Sequence, residues 1–147
     1  MPFVRELFEK ARARLILVPE DTTILDVARL LHAGTDIVVL RDSSGSLAGV
    51  LTKTDIVELL VLSERLEGSA TAASVMKQDV LECRMGDDIH GLWLQMHASG
   101  IKNVPIVDEG RQPIGILNAR DALENLLEDT EKEETLLRHY VMGLGYR

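Results

Sequence analysis

Residues 36–60 read DIVVLRDSSGSLAGVLTKTDIVELL and residues 102–126 read KNVPIVDEGRQPIGILNARDALENL, and a shift of 66 residues lays one over the other without a gap. Identical pairs fall at Val38/Val104, Asp42/Asp108, Gly49/Gly115, Leu51/Leu117, Asp55/Asp121, Glu58/Glu124 and Leu60/Leu126, with Gly34/Gly100 just upstream. A glycine followed six residues later by an acid, twice and in one register, marks an internal repeat, and a repeat governs every later reading of the chain.

Working outward, residues 15–18 form a short apolar run, and Ile24, Val27, Ala28 and Leu31 recur at helical spacing behind the start signal Asp21-Thr22-Thr23. Residues 37–40 read as a buried strand. Asp42-Ser43-Ser44-Gly45-Ser46 is dense in turn formers and predicts an antiparallel hairpin into a strand at 47–51. A helix follows from Thr52, its apolar side supplied by Ile56, Leu59, Leu60 and Leu62 or Leu66. The second copy repeats the order: a lead strand at 80–83, a helix from Asp87-Asp88 carrying Ile89, Leu92, Trp93 and Met96, strands at 104–107 and 114–117, and a closing helix from near Asn118. The small, polar stretch at 67–73 suits a linker. Each half alone buries too little surface to be comfortable, which predicts a shared core.

Composition narrows the function classes. The chain has 147 residues, 46% hydrophobic but only 3% aromatic, so the core is aliphatic. The formal charge of -8 opposes non-specific binding to nucleic acid or to an anionic membrane surface, while leaving room for a local anion pocket. A single cysteine, Cys83, excludes an internal disulfide and suits a reducing compartment. The N-terminus mixes charges of both signs with apolar residues at helical spacing, unlike a signal peptide. The apolar run at 56–62 is interrupted by Glu58 and too short to span a bilayer. The expectation is a cytoplasmic protein with no membrane and no nucleic-acid partner.

Each copy carries Gly-apolar-apolar-polar-x-x-Asp: Gly49 to Asp55 through Thr52, and Gly115 to Asp121 through Asn118. Thr52 or Asn118 is placed to end a strand and cap the next helix, with the aspartate in its first turn, where the helix dipole favours a carboxylate. A capping box repeated with the fold accounts for the spacing without any ligand. Two such helix starts facing one cleft also attract phosphate, and an acid beside them accepts hydrogen bonds from ribose hydroxyls.

On these residues, and on the strand end Val104-Pro105-Ile106-Val107-Asp108, nearly the whole chain resembles a tandem pair of cystathionine β-synthase (CBS) domains, a Bateman module. The resemblance implies an α+β fold of two pseudo-symmetric βαββα repeats packed into one module. The first repeat is expected at 1–66, a linker at 67–75, the second repeat at 76–131 and a helical tail at 132–147. It implies a regulatory, non-catalytic module whose clefts hold an adenine nucleotide (AMP, ADP or ATP) or S-adenosylmethionine, with no cofactor required. By the same resemblance Asp55 and Asp121 would hold ribose hydroxyls, and Thr52 and Asn118 would approach phosphate or ribose. Val38, Val39, Val104 and Pro105 would line the adenine slot, and Lys53 and Arg120 would stand near phosphate. Two departures matter: Val39 occupies the position of Pro105, and Asn118 replaces the commoner Thr or Ser, which favours the Thr52/Asp55 site.

His32, His90, His97 and His139 lack the close spacing of a zinc site. Cys83 falls in an expected apolar strand, and no serine sits in a Gly-x-Ser-x-Gly elbow. Neither a metal nor a catalytic residue is expected. The apolar face of the N-terminal helix (Val4, Leu7, Phe8, Ala11) and the stretch at 136–142 need burial, either on the chain's own domain or on a partner; the expectation is a homodimer that both terminal helices help to form, acting in trans on a regulated protein. The alternative is a structural or dimerisation module with vestigial ligand sites.

Overall fold

The two hairpins form as the repeat requires. The computed structural model describes residues 2–63 and 67–145, with the side chains of 133, 135–137 and 139–145 outside that description. Leu66 and the apolar side chains expected at 136–142 therefore lie outside the described residues. Strand β2 (Ile37–Arg41) pairs antiparallel with β3 (Leu47–Thr52), and β4 (Asn103–Val107) with β5 (Pro113–Asn118), each with a register shift one step before the turn. The shared aspartate organises both turns. Asp42 Oδ1 accepts from the Ser44 and Ser46 N–H groups at 2.9 and 3.0 Å, and Asp108 Oδ1 from those of Gly110 and Gln112 at 3.0 and 2.9 Å.

Helices follow their caps. Thr23 caps α2 (Ile24–His32), Thr52 caps α3 (Lys53–Leu62) and Asp88 caps α4 (Ile89–Ser99). Helix α4 ends where Gly100 turns left-handed at φ 68°, a conformation glycine adopts without a Cβ penalty. Helix α5 (Ala119–Gly145) runs on without a break through the stretch expected as a tail.

Three expectations need correction. The lead strand β1 (Leu17–Pro19) forms and pairs parallel to β2, but its expected counterpart at 80–83 does not. Only Cys83 bridges Ile106, through the Cys83 N–H to the Pro105 carbonyl at 3.0 Å and the Val107 N–H to the Cys83 carbonyl at 2.8 Å. On α3, Leu60 and Leu62 are exposed rather than core, leaving Ile56 as the residue that packs inward. Finally, the N-terminal face is not free for a partner. Val4 and Leu7, on a 3-10 turn, and Ala11, on α1 (Phe8–Arg14), are buried among Ile89, Met96, Val104 and Leu117 of the second repeat.

The packing is crossed. The segment before the first repeat completes the second repeat, and the linker completes the first, where Ala72 is buried among Val27, Leu31, Val38, Leu40 and Leu51. The crossing is written in hydrogen bonds as well: the Ile24 N–H donates to the Ala70 carbonyl at 2.8 Å, and the Ile89 N–H to the Pro2 carbonyl at 3.1 Å. A third cluster joins the halves directly, with Ile37, Val39, Leu47 and Val50 against Val107 and Ile116. Burying Val4 and Leu7 alone contributes roughly 3–6 kcal/mol. That is comparable to a domain's whole net stability of about 5–15 kcal/mol, so the second half depends on its crossed-over segment.

Gly49 and Gly115 sit where the crossing segments press closest. A Cβ at Gly49 would meet the Lys77 carbonyl oxygen at 2.7 Å, and one at Gly115 would meet Ala11 atoms at 3.1 Å. Ala11 and Lys77 are themselves related by the repeat shift. The Lys77 backbone is fixed by paired bonds with Val50, both 3.0 Å, so it has no room to retreat. Gly49→Ala is therefore expected to destabilise the protein by about 1–3 kcal/mol in urea unfolding. Gly115→Ala, at the longer contact, should cost less, and equal effects would contradict this packing.

Candidate functional site

The crossed segments deliver a cation to each signature aspartate. In the first copy the capping box closes fully: the Thr52 N–H donates to Asp55 Oδ2 at 2.9 Å, and the Asp55 N–H to Thr52 Oγ1 at 3.2 Å. The other oxygen, Oδ1, meets the Lys77 ammonium at 2.8 Å. Asp55 is 5% exposed, yet the Lys77 side chain remains 60% exposed, so this ion pair joins a buried carboxylate to a largely exposed partner. The hydrogen bond that Lys77 donates to Asp55 raises the Lys77 pKa above its usual value.

The second copy solves the same burial differently. Asn118 Oδ1 accepts from the Arg120 and Asp121 N–H groups at 3.0 and 3.3 Å. Asp121, also 5% exposed, faces Arg14 instead of reaching back to the cap. Arg14 donates from Nε to Oδ2 at 2.6 Å and from Nη2 to Oδ1 at 3.0 Å, a bidentate fork. Those contacts raise the Arg14 pKa, its hydrogen bond to Asp121 first among the causes.

Two clefts result. The first, about 660 Å³, opens beside Thr52, Lys53 and Asp55 and is walled on its other sides by Lys77, Asp79, Lys102 and Asn103. The second, about 230 Å³, is lined by Arg14, Gly34, Asp36, Ile37, Asn103 and Ile116, and the signature helix of the second copy does not reach it. Ligand sites generally occupy about 300–1,000 Å³. Only the first of these two clefts has that size.

Of the site residues expected from sequence, the structure brings Thr52, Lys53, Asp55 and Asn118 together in the first cleft. It does not bring the others there. Val38, Val39, Val104 and Pro105 are buried in the packed interior and line neither cleft, because both faces of these strands are covered. Their places on the walls are taken by Ile37 and Asn103, at the strand starts. Arg120 is exposed and outside both clefts, and Asp121 is closed off by Arg14. Sequence reasoning missed Lys77 and Arg14, and with them Asp36, Asp79 and Lys102. Extended upstream, the repeat shift places the two crossing segments at equivalent positions, but it pairs Arg14 with Val80 and Lys77 with Ala11, so it does not single out either cation.

Burial pushes the Cys83 thiol up to about 12, which keeps it protonated and unreactive near neutral pH. Trp93 is half-buried and stacks on His97 with ring centroids 5.1 Å apart, so that histidine packs against an aromatic face. Among the described residues no group of three or more His, Cys, Asp or Glu side chains is arranged to hold a metal ion, and no helix is long and apolar enough to cross a membrane.

Comparison with known proteins agrees with the duplicated architecture. The CBS domain family model matches twice, at residues 4–62 and 72–128. An uncharacterized protein of Methanocaldococcus jannaschii is 25% identical over 130 residues, covering 88% of this chain and 30% of its own length. One from Methanopyrus kandleri is 26% identical over 117 residues, covering 79% of this chain and 60% of its own. The chain thus spans less than two thirds of these relatives.

Among solved structures, a CBS-domain containing protein from Agrobacterium tumefaciens superposes with a TM-score of 0.73 at 25% identity, covering 84% of this chain and 98% of that one. A CBS domain protein from Pyrobaculum aerophilum complexed with AMP gives 0.70 at 22% identity, covering 82% and 89%. A CBS domain pair in complex with 5'-methylthioadenosine and S-adenosyl-L-methionine gives 0.70 at 20%, covering 88% and 98%. Both halves of the fold, each completed by the segment that precedes the other, match one family model, and the chain belongs to the CBS domain family as a tandem pair.

Proposed function

We propose that the first cleft binds an adenine nucleotide and that its occupancy regulates a partner protein. The observation that carries this reading is the meeting, in one 660 Å³ cleft, of Asp55 with Lys53, Lys77 and Lys102 at the start of α3. Asp55 accepts ribose hydroxyls at Oδ1. To make room the Lys77 ammonium leaves that oxygen and turns to phosphate, an exchange its 60% exposure allows. The cap takes the Asp55 N–H, so the N–H groups of Lys53 and Thr54 are left among the orphan donors of the helix start and add to the anion site. Ile37 and Asn103 replace the interior valines as the wall for the base. AMP, 5'-methylthioadenosine and S-adenosylmethionine in the similar domain pairs support an adenosine ligand. Lys53, Lys77 and Lys102 share the cleft with Asp36, Asp55 and Asp79, so a phosphate would be held by individual lysines beside the start of α3 and not by a net positive cleft.

Regulation requires the ligand to prefer one arrangement of the repeats over another. The first cleft supplies the means, since its walls come from α3 and β3 of one repeat and from 100–103 and Asn118 of the other. A ligand that touches both repeats biases their relative position.

Self-association belongs to the same proposal, through a surface other than the N-terminal helix. Val57, Leu60, Val61 and Leu62 of α3 are 57%, 57%, 77% and 85% exposed, a cluster that a second copy of the chain would cover.

Two experiments test these readings. In calorimetric titrations AMP or ATP binds the wild-type protein, Asp55→Asn loses binding, and Lys53→Ala weakens it about tenfold. A hydrogen bond to a charged group contributes roughly 1.5–3 kcal/mol, and about 1.4 kcal/mol is tenfold in affinity. Binding that survives both changes removes these residues from the site. In size-exclusion chromatography with light scattering the wild-type protein elutes as a dimer and Val61→Glu as a monomer, and a wild-type monomer at micromolar concentration would refute the dimer.

A further inference from the structure

The repeat shift makes the second cleft the counterpart of the first: Gly34, Asp36 and Ile37 stand where Gly100, Lys102 and Asn103 stand in the first. The counterpart is incomplete. In the first cleft the signature aspartate and its helix start form part of the wall, whereas in the second Asp121 is missing from the wall although its carboxylate is as buried as that of Asp55. The side chain that separates Asp121 from the cavity is Arg14, which lines the cleft and grips both carboxylate oxygens at 2.6 and 3.0 Å.

The two cations differ in kind as well as in place. Lys77 makes one contact with Asp55 and is a point charge on a flexible stem, so a ligand displaces it easily. Arg14 presents a planar fork that matches the carboxylate edge, and it uses both oxygens that a ribose diol would need. Its own repeat-related position is Val80, and that of Lys77 is Ala11, so the closure of the second cleft is a feature of this half alone. The negative charges of Asp36 and Glu124 add to the rise in the Arg14 pKa, after the contact with Asp121.

We infer that Arg14 is an internal occupant of the second site, so that the chain takes one nucleotide, in the first cleft, and the second site opens only when Arg14 is withdrawn. This rests on the first cleft being the nucleotide site. The chemistry of the opened site follows from its walls. With Arg14 gone, Asp36 and Asp121 face the space with no lysine beside them, whereas the first cleft, which Asp36 also borders, sets Lys53, Lys77 and Lys102 against its carboxylates. Such a site repels a phosphate and suits the cationic sulfonium of S-adenosylmethionine. The two clefts therefore differ in ligand charge as well as in access.

Calorimetric titration with AMP and with S-adenosylmethionine tests this on four proteins. The wild-type chain is expected to take one AMP, lost in Asp55→Asn. Arg14→Gln retains that AMP and gains a second site that takes S-adenosylmethionine at least tenfold more tightly than AMP. The double variant Arg14→Gln/Asp121→Asn loses the gained site. Two AMP molecules per wild-type chain, or no gained site in an Arg14→Gln protein that keeps its cooperative thermal unfolding, would overturn the inference.

Because Arg14→Gln leaves a buried carboxylate unpaired, a second readout uses the wild-type protein. The Arg14 Nε–H resonance stays in place through saturation with AMP while the Thr52 and Asp55 amides shift, and a displaced Arg14 signal would equally overturn the inference. Should the wild-type chain bind no AMP at all, the reading of the first cleft fails, and a gain of S-adenosylmethionine binding in Arg14→Gln decides the role of Arg14 separately.

Discussion

The close approach of a crossing backbone to a strand glycine is the contact on which the rest of this structure depends. At Gly49 the carbonyl of Lys77 lies where a side chain would stand, and at Gly115 the backbone of Ala11 does the same. Because neither strand carries a Cβ there, the segment preceding each repeat lies against the other repeat and closes its core. The same crossing carries Lys77 to Asp55 and Arg14 to Asp121. Core completion and site electrostatics are consequently one event: a change that loosens the crossing also exposes two buried carboxylates.

Duplication made the two halves alike, and a few side chains make them unequal. Both signature acids are buried to the same degree, and burial of a charge demands a partner. Lys77 meets that demand with one contact to Asp55, and Arg14 meets it with a fork on both oxygens of Asp121. The proposed division of labour, one open cleft and one closed, follows from which cation each crossing segment supplies. The apolar positions of the repeat tolerate such divergence because the core clusters do not include these polar contacts.

Much of the fold was legible in the sequence because its signals are local. The caps at Thr23, Thr52 and Asp88 and the turn aspartates Asp42 and Asp108 each act within a few residues. What was hidden acts over long range. Arg14 and Asp121 are 107 residues apart in the chain, and no periodicity announces their meeting. Val38, Val39, Val104 and Pro105, expected at a ligand slot, line neither of the two clefts: a strand covered on both faces is apolar throughout, so residue type cannot separate interior from cleft. The lead strand expected at 80–83 shrank to a single bridge at Cys83, and Leu60 and Leu62 stayed on the surface. In each case hydrophobicity was read as burial within the element, although it also suits surface awaiting a partner.

Native-state hydrogen exchange tests the crossed architecture most directly. The Val4 and Arg5 amides donate to Asp87 and Met85 of the second repeat, and the Lys77 amide donates to Val50 of the first. If each crossing segment is part of the opposite core, these amides open only with it. Their free energies of exchange then equal those of Val107 for the N-terminal segment and of Val50 for the linker. Val4 and Arg5 exchanging at the rate of an unstructured peptide while Val107 stays protected would contradict the account.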